Sequence, residues 1–130
     1  MTRDIPKAGW TEFLDEFSRT HQAWLATVDS VEPDRQVDTR AVEQPLRSVS
    51  PEVQANQVVS VSIRFQEDSG SRPAIEVAAP IALRVDETAE GAARGVEILD
   101  REGRCTRIRF RAAPRGDILD GVAPGELPPR

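Results

Sequence analysis

The residues best suited to chemistry in this 130-residue chain are Ser18 and its single histidine, His21. Three positions apart, they share a face if the segment is helical, and a nucleophile and its base could be built from such a pair. Catalysis of that kind also needs a carboxylate to orient the imidazole and an oxyanion hole. No Gly-x-Ser-x-Gly elbow supplies the usual setting. The plainer role for His21 is to end a helix, bonding last-turn carbonyls and favoured there by the dipole when charged. Trp24 follows three residues later, and Ser18, His21 and Trp24 together mark a candidate pocket mouth or interface. A tryptophan is more often core, and anchors a partner when exposed.

A second group is basic. Arg104, Arg107, Arg109 and Arg111 form a candidate anion or partner patch, because on a strand Arg107, Arg109 and Arg111 share one face. They could equally pair across a sheet with acidic neighbours such as Glu97. Nucleic acid is not the expected partner. The formal charge is −5 and the pI about 4.9, against a binder that lives on phosphate contacts. Stacking aromatics are also missing from the row except for Phe110, which falls on the other face. Charge is uneven, with 10 Lys+Arg against 18 Asp+Glu in residues 1–100 and 7 against 4 in residues 101–130.

Other chemistry has weaker support. Cys105 has Arg104 and Arg107 nearby, and positive neighbours lower a thiol's pKa, yet a lone cysteine is usually a small apolar residue. One His and one Cys exclude a zinc constellation and an intramolecular disulfide. Asp29, Glu32, Asp34 and Asp38 surround a turn without the order of a calcium loop, and read as a solvated acidic loop. No metal and no other cofactor is expected.

The elements that must position these residues follow from periodicity. Trp10, Phe13, Leu14 and Phe17 repeat at i, i+3, i+4 and i+7, the buried face of a helix beginning near Pro6 and running to about Thr20. Strands follow at 23–31 and about 36–43 around a turn at Glu32–Arg35, while Ser48–Glu52 reads as a turn or short helical cap. Residues 57–66 alternate, with Val59, Val61, Ile63 and Phe65 on one side. Glu67–Pro73 is an exposed loop, 74–79 a short strand, and 81–87 a strand with Ile81, Leu83 and Val85 inward. Asp100-Arg101-Glu102-Gly103 fits a type I turn with a G1 bulge, which sets Glu97 opposite Arg107 and Val96 opposite Ile108. The expected fold is α+β: one N-terminal helix on a mostly antiparallel sheet of about six or seven strands, with a partial barrel as one way to close it. The single domain spans 1–112, and 113–130, rich in Pro and Gly, reads as a disordered tail.

Ile5-Pro6, Trp10, Phe13, Phe17-Ser18-Arg19, His21 and Trp24-Leu25, with the closing Glu97-Ile98, Gly103 and Arg109-Phe110-Arg111, resemble a family of short bacterial proteins of no assigned function. The family's pattern has glycine before the second Trp, where this chain has Ala23. The resemblance implies no catalytic residues. With no apolar leader in Met1–Lys7 and no run near the roughly 20 apolar residues of a membrane span, the expected location is the cytoplasm. One helix covers only part of such a sheet, so a homodimer is expected to cover the rest. The leading functional reading is a non-enzymatic interaction or accessory module. The alternatives are a small-molecule binder or enzyme with a helix–sheet pocket, and, less strongly, anion binding through the Arg row.

Overall fold

The computed structural model describes residues 2–67 and 74–110, so Arg111, the expected tail and most of the 67–73 loop lie outside the described residues. Strands β1 (Thr2–Asp4), β2 (Leu25–Val31), β3 (Val37–Gln54), β4 (Gln57–Phe65), β5 (Ile75–Ala78), β6 (Pro80–Glu87), β7 (Ala93–Asp100) and β8 (Cys105–Phe110) form one sheet. Helix α1 spans Trp10–Thr20. The strand order is β1-β6-β7-β8-β2-β3-β4-β5, antiparallel at every pairing, and the sheet is not closed. The α+β class is as expected. The eighth strand is β1, three polar residues that carry no hydrophobic period and pair with β6 through backbone and through the Arg3–Glu87 and Asp4–Arg84 ion pairs.

Two bends fold the sheet over on itself. The first half of β3 pairs with β2 (Val31↔Val37 to Leu25↔Pro45), the second half with β4 (Leu46↔Phe65 to Gln54↔Gln57). Between the halves Glu43 adopts φ 48°. Ala79, at φ 51°, turns the chain from edge strand β5 into β6, and its amide and carbonyl are held by Val59 O (3.0 Å) and Arg101 N (3.0 Å). Strands that switch layers through such irregular corners let one sheet make both walls of a core.

The expected turn or cap at Ser48–Glu52 is instead the middle of β3. Val49 is 1% exposed and stands opposite Ile63, and Pro51, whose ring suits extended backbone, stands opposite Val61. Val49's outward backbone groups, which have no strand neighbour, bond the Ser18 hydroxyl.

The helix starts later than expected. Pro6 is extended (φ −61°, ψ 146°), Lys7–Gly9 form a 3-10 turn, and α1 begins at Trp10. The chain is tied down first, with Ile5 N donating to Leu83 O and Trp10 Nε1 to Ile5 O, both at 2.8 Å. The buried stripe is Trp10, Leu14 and Phe17, with Phe13 packed partly against it. Each buried side chain of this size contributes about 2–3 kcal/mol. It joins Val61, Ile63 and Phe65 of β4, Leu83 and Val85 of β6, and Val96, Ile98 and Ile108 of the last hairpin. That hairpin keeps the expected register, Glu97↔Arg107 and Val96↔Ile108, with Gly103 at φ 87°. Two inward assignments do not hold: Val59, whose carbonyl meets the β5–β6 corner at Ala79, is 36% exposed, and Ile81, at the β6–β7 register shift between Pro80 and Ala82, is 44% exposed. Buried residues from α1 and from β2 to β8 join in one apolar core.

Candidate functional site

Ser18 and His21 leave α1 in different directions. Ser18 Oγ donates to Val49 O at 3.0 Å and accepts from Val49 N at 2.8 Å, so the hydroxyl serves as β3's missing strand neighbour. His21 is the C-cap of α1, 2% exposed, with Nδ1 2.8 Å from Phe17 O and Nε2 3.3 Å from Ala93 O. Its ring stacks on Phe110 (4.5 Å, 3° between planes), tilts on Phe17 (4.4 Å) and meets half-buried Trp24 edge-on (4.6 Å). Both ring nitrogens therefore face carbonyls, and neither faces Ser18.

His21 and Trp24 do share a shallow cleft of about 320 Å³ with Phe13, Phe17 and the loop ending at Ala93; Ser18 does not line it. The carboxylates at its rim are already engaged. Glu16 accepts from Arg19 at 2.7 Å, and Arg3 bonds Glu87 at 3.0 Å, holding that carboxyl below the usual carboxylate range.

The described arginines of the row, Arg104, Arg107 and Arg109, pair with carboxylates of the chain itself. Asp29, expected in a solvated acidic loop, is 3% exposed because β2 lies between β3 and β8, with Arg107 directly opposite. Its Oδ2 accepts from Arg109 at 2.6 Å and Arg107 at 3.5 Å, and its Oδ1 from Thr39 at 3.1 Å. Arg104 bonds Glu32 at 2.9 Å. The partner foreseen for the row, Glu97, instead lies 3.9 Å from Arg84. Cys105 sits half-buried, and burial first, then Glu97, pushes its thiol up against the opposite pull of Arg107 and Arg84. Among the described residues no group of three or more His, Cys, Asp or Glu is placed to hold a metal ion.

A larger cleft, about 460 Å³, lies where the 3-10 turn, the β3–β4 turn and the β5–β6 corner meet. Lys7, Trp10, Asn56, Val59, Ile81 and Arg101 line it, with the buried ring of Pro80 beneath. Lys7 Nζ stands 6.0 Å from the centroid of the Trp10 ring. Asn56 (φ 62°) and Ala79 (φ 51°) hold left-handed backbone at its wall. Sequence reasoning misses this cleft, because Lys7, Asn56, Ile81 and Arg101 come from four separate segments. The available signals are the lone lysine close to a tryptophan and the Ala55-Asn56 turn.

The fold and site thus define a small open-sheet α+β protein in which Ser18 and His21 bond main-chain groups and a 460 Å³ cleft is lined by cationic and apolar side chains. The chain belongs to a family of unknown function (DUF5335), whose model matches residues 1–117. Neither the curated proteins nor the solved structures yield a match.

Proposed function

We propose that this protein is a non-enzymatic binding module acting in the cytoplasm. The observation that carries this reading is the commitment of its candidate nucleophile and base. Ser18 Oγ is bonded in both senses to Val49, and both His21 nitrogens face main-chain carbonyls. A serine is activated when a base within hydrogen-bond reach takes its proton, and that contact is replaced here by structural ones. The Cys105 thiol is pushed up, away from the thiolate that reacts. The 460 Å³ cleft is lined by two cations, amides and apolar groups, with no carboxylate, thiol or imidazole. For location, the composition is charge-rich with a single cysteine, and no described helix is long and apolar enough to cross a membrane.

The test compares the full chain with Ser18→Ala and Cys105→Ser on a panel of activated esters and thioesters. Turnover at the buffer rate for all three proteins is expected. Turnover above it that Ser18→Ala or Cys105→Ser removes would overturn the proposal. The 320 Å³ cleft at His21 and Trp24 supports a second reading, ligand binding between helix and sheet. It predicts a ligand that quenches Trp24 fluorescence and loses affinity in Trp24→Ala.

A further inference from the structure

We propose that the 460 Å³ cleft between the 3-10 turn and the β5–β6 corner binds a small amphiphilic organic anion, its head between Lys7 and Arg101 and its apolar body on Val59, Pro80 and Ile81. The assignment rests on the binding-module reading and names the ligand class that the module takes.

Charge is the first argument. The chain carries a net −5, yet this cleft is lined by Lys7 and Arg101 and by no carboxylate. Several arginines elsewhere are neutralised: Arg3 by Glu87, Arg19 by Asp15 and Glu16, Arg84 by Asp4, Arg94 by Asp86, Arg104 by Glu32. Among the described residues neither Lys7 nor Arg101 forms an ion pair. Arg35, Arg40 and Arg47 also lack an ion pair there, but none of them lines this cleft. Two unpaired cations converging on one concavity attract an anion, and the guanidinium fork suits a planar carboxylate or a phosphate.

The apolar lining is the second argument. The exposed large apolar side chains among the described residues are Val37, Val42, Val53, Val59 and Ile81, and two of them line this cleft. Ile81 lies in a strand whose alternation points it inward, and the register shift between Pro80 and Ala82 instead leaves it unpaired and 44% exposed at the wall. Ligand sites combine such apolar walls with a few fixed polar groups, and 460 Å³ falls in the range of small-molecule sites, roughly 300–1,000 Å³. A bare phosphate would leave the apolar wall unused, and a purely apolar ligand would leave the two cations unused.

Backbone geometry is the third. Ala79 holds positive φ as an alanine on the lining, a strain of about 1–3 kcal/mol that persists where the surrounding structure demands it, beside Asn56, a residue type that takes left-handed backbone readily. At Ala79 the demand is visible, since its two backbone groups clamp β4 to the β7–β8 turn and so fix Arg101 against the cleft.

The experiment is an amide-resolved NMR titration of the uniformly labelled full chain with octanoate and octyl phosphate. The neutral octan-1-ol and the head group alone, as acetate, are the controls. Amides of Asn56, Gln57, Ala79, Ile81 and Arg101 are expected to shift with either amphiphile, and the two affinities rank carboxylate against phosphate. Octanol is expected to bind at least about fivefold more weakly, and Lys7→Gln and Arg101→Gln each to weaken octanoate about two- to fivefold, the range for partly exposed ion pairs. Both side chains are exposed, so these variants keep the wild-type spectrum elsewhere, and Ile81→Thr weakens octanoate and octanol alike. Equal affinities for octanol and octanoate, unchanged affinity in both charge variants, or no shift at these amides would overturn the assignment and leave the non-enzymatic reading standing. The same amides shifting on raising protein concentration alone would place a second copy in the cleft and also overturn it. Octanoate or octyl phosphate recovered with an altered mass would instead sink the non-enzymatic reading while leaving the site in place.

Discussion

Replacing Asp29 by alanine tests the account of the arginine row. The carboxylate side chain is only 4% exposed and collects three donors: Arg109 at 2.6 Å, Thr39 at 3.1 Å and Arg107 at 3.5 Å. A charge-assisted bond contributes about 1.5–3 kcal/mol and the threonine hydroxyl about 1 kcal/mol. The Arg107 contact, at the edge of hydrogen-bond range, adds little. Breaking a fully buried pair costs about 3–5 kcal/mol because the abandoned charge has no other partner. That figure does not apply here, since the side chains of Arg109 and Arg107 are 59% and 36% exposed and water reclaims them. Asp29→Ala is therefore expected to cost about 2 kcal/mol, a fall in Tm of about 8 °C at roughly 4 °C per kcal/mol. Urea unfolding of the wild type, Asp29→Ala, Arg109→Gln and the double variant reads both the loss and the coupling. The Asp29–Arg109 coupling energy is expected near ~1 kcal/mol, larger than for Asp29–Arg107. A loss below about 0.5 kcal/mol for Asp29→Ala, or no coupling to Arg109, would refute the claim that Asp29 neutralises the row.

Other expectations concern single positions. Ala23 holds φ 72° in the turn leaving α1, where the related family pattern has glycine. Ala23→Gly is expected to raise stability by about 0.5–1 kcal/mol by relieving left-handed strain, measured by thermal unfolding; a loss of stability would contradict the strain argument. Gly95 stands opposite Arg109, and a β-carbon there would lie 2.3 Å from Ile108 O. Gly95→Ala should cost about 3 kcal/mol, because backbone rather than a movable side chain is in the way; wild-type stability by urea titration would show that β7 and β8 are not so close. The Cys105 thiol is pushed up by burial and Glu97. Its neutral form therefore contributes stability that is complete below the free thiol's pKa and lost as pH rises through the raised value. At about pH 8, alkylation by iodoacetamide should run slower than for an unstructured cysteine peptide, and an equal or faster rate would overturn that direction.

The parts of this protein that depend on near neighbours are legible in the order of its amino acids. The Trp10–Phe17 stripe marks the helix, because apolar residues at i, i+3, i+4 and i+7 line up on one side only when the backbone turns once every 3.6 residues. Alternation marks β4. The Asp100–Gly103 turn sets the register of the last hairpin, since the glycine at φ 87° fixes the turn and the turn fixes the pairing. Even the role of His21 in bonding a last-turn carbonyl is readable, being a contact four residues long.

What is assembled from distant parts of the chain came only with the folded molecule. Ser48–Glu52 reads as a turn because Ser and Pro are turn residues, and is strand because Val49 has a buried place opposite Ile63. Asp29 reads as solvated because its neighbours in sequence are acidic and turn-rich. It is buried because residues 78 and 80 positions away bring it two guanidinium groups. Ile81 points inward by alternation until the register shift between Pro80 and Ala82 exposes it, and the cleft it lines joins Lys7 to Arg101 across most of the domain. Local conformation follows from steric and periodic rules that act over a few residues. A site assembled from four segments depends on how the sheet bends, and here the bends fall at Glu43 and Ala79, neither of which is a glycine or asparagine that would announce left-handed backbone.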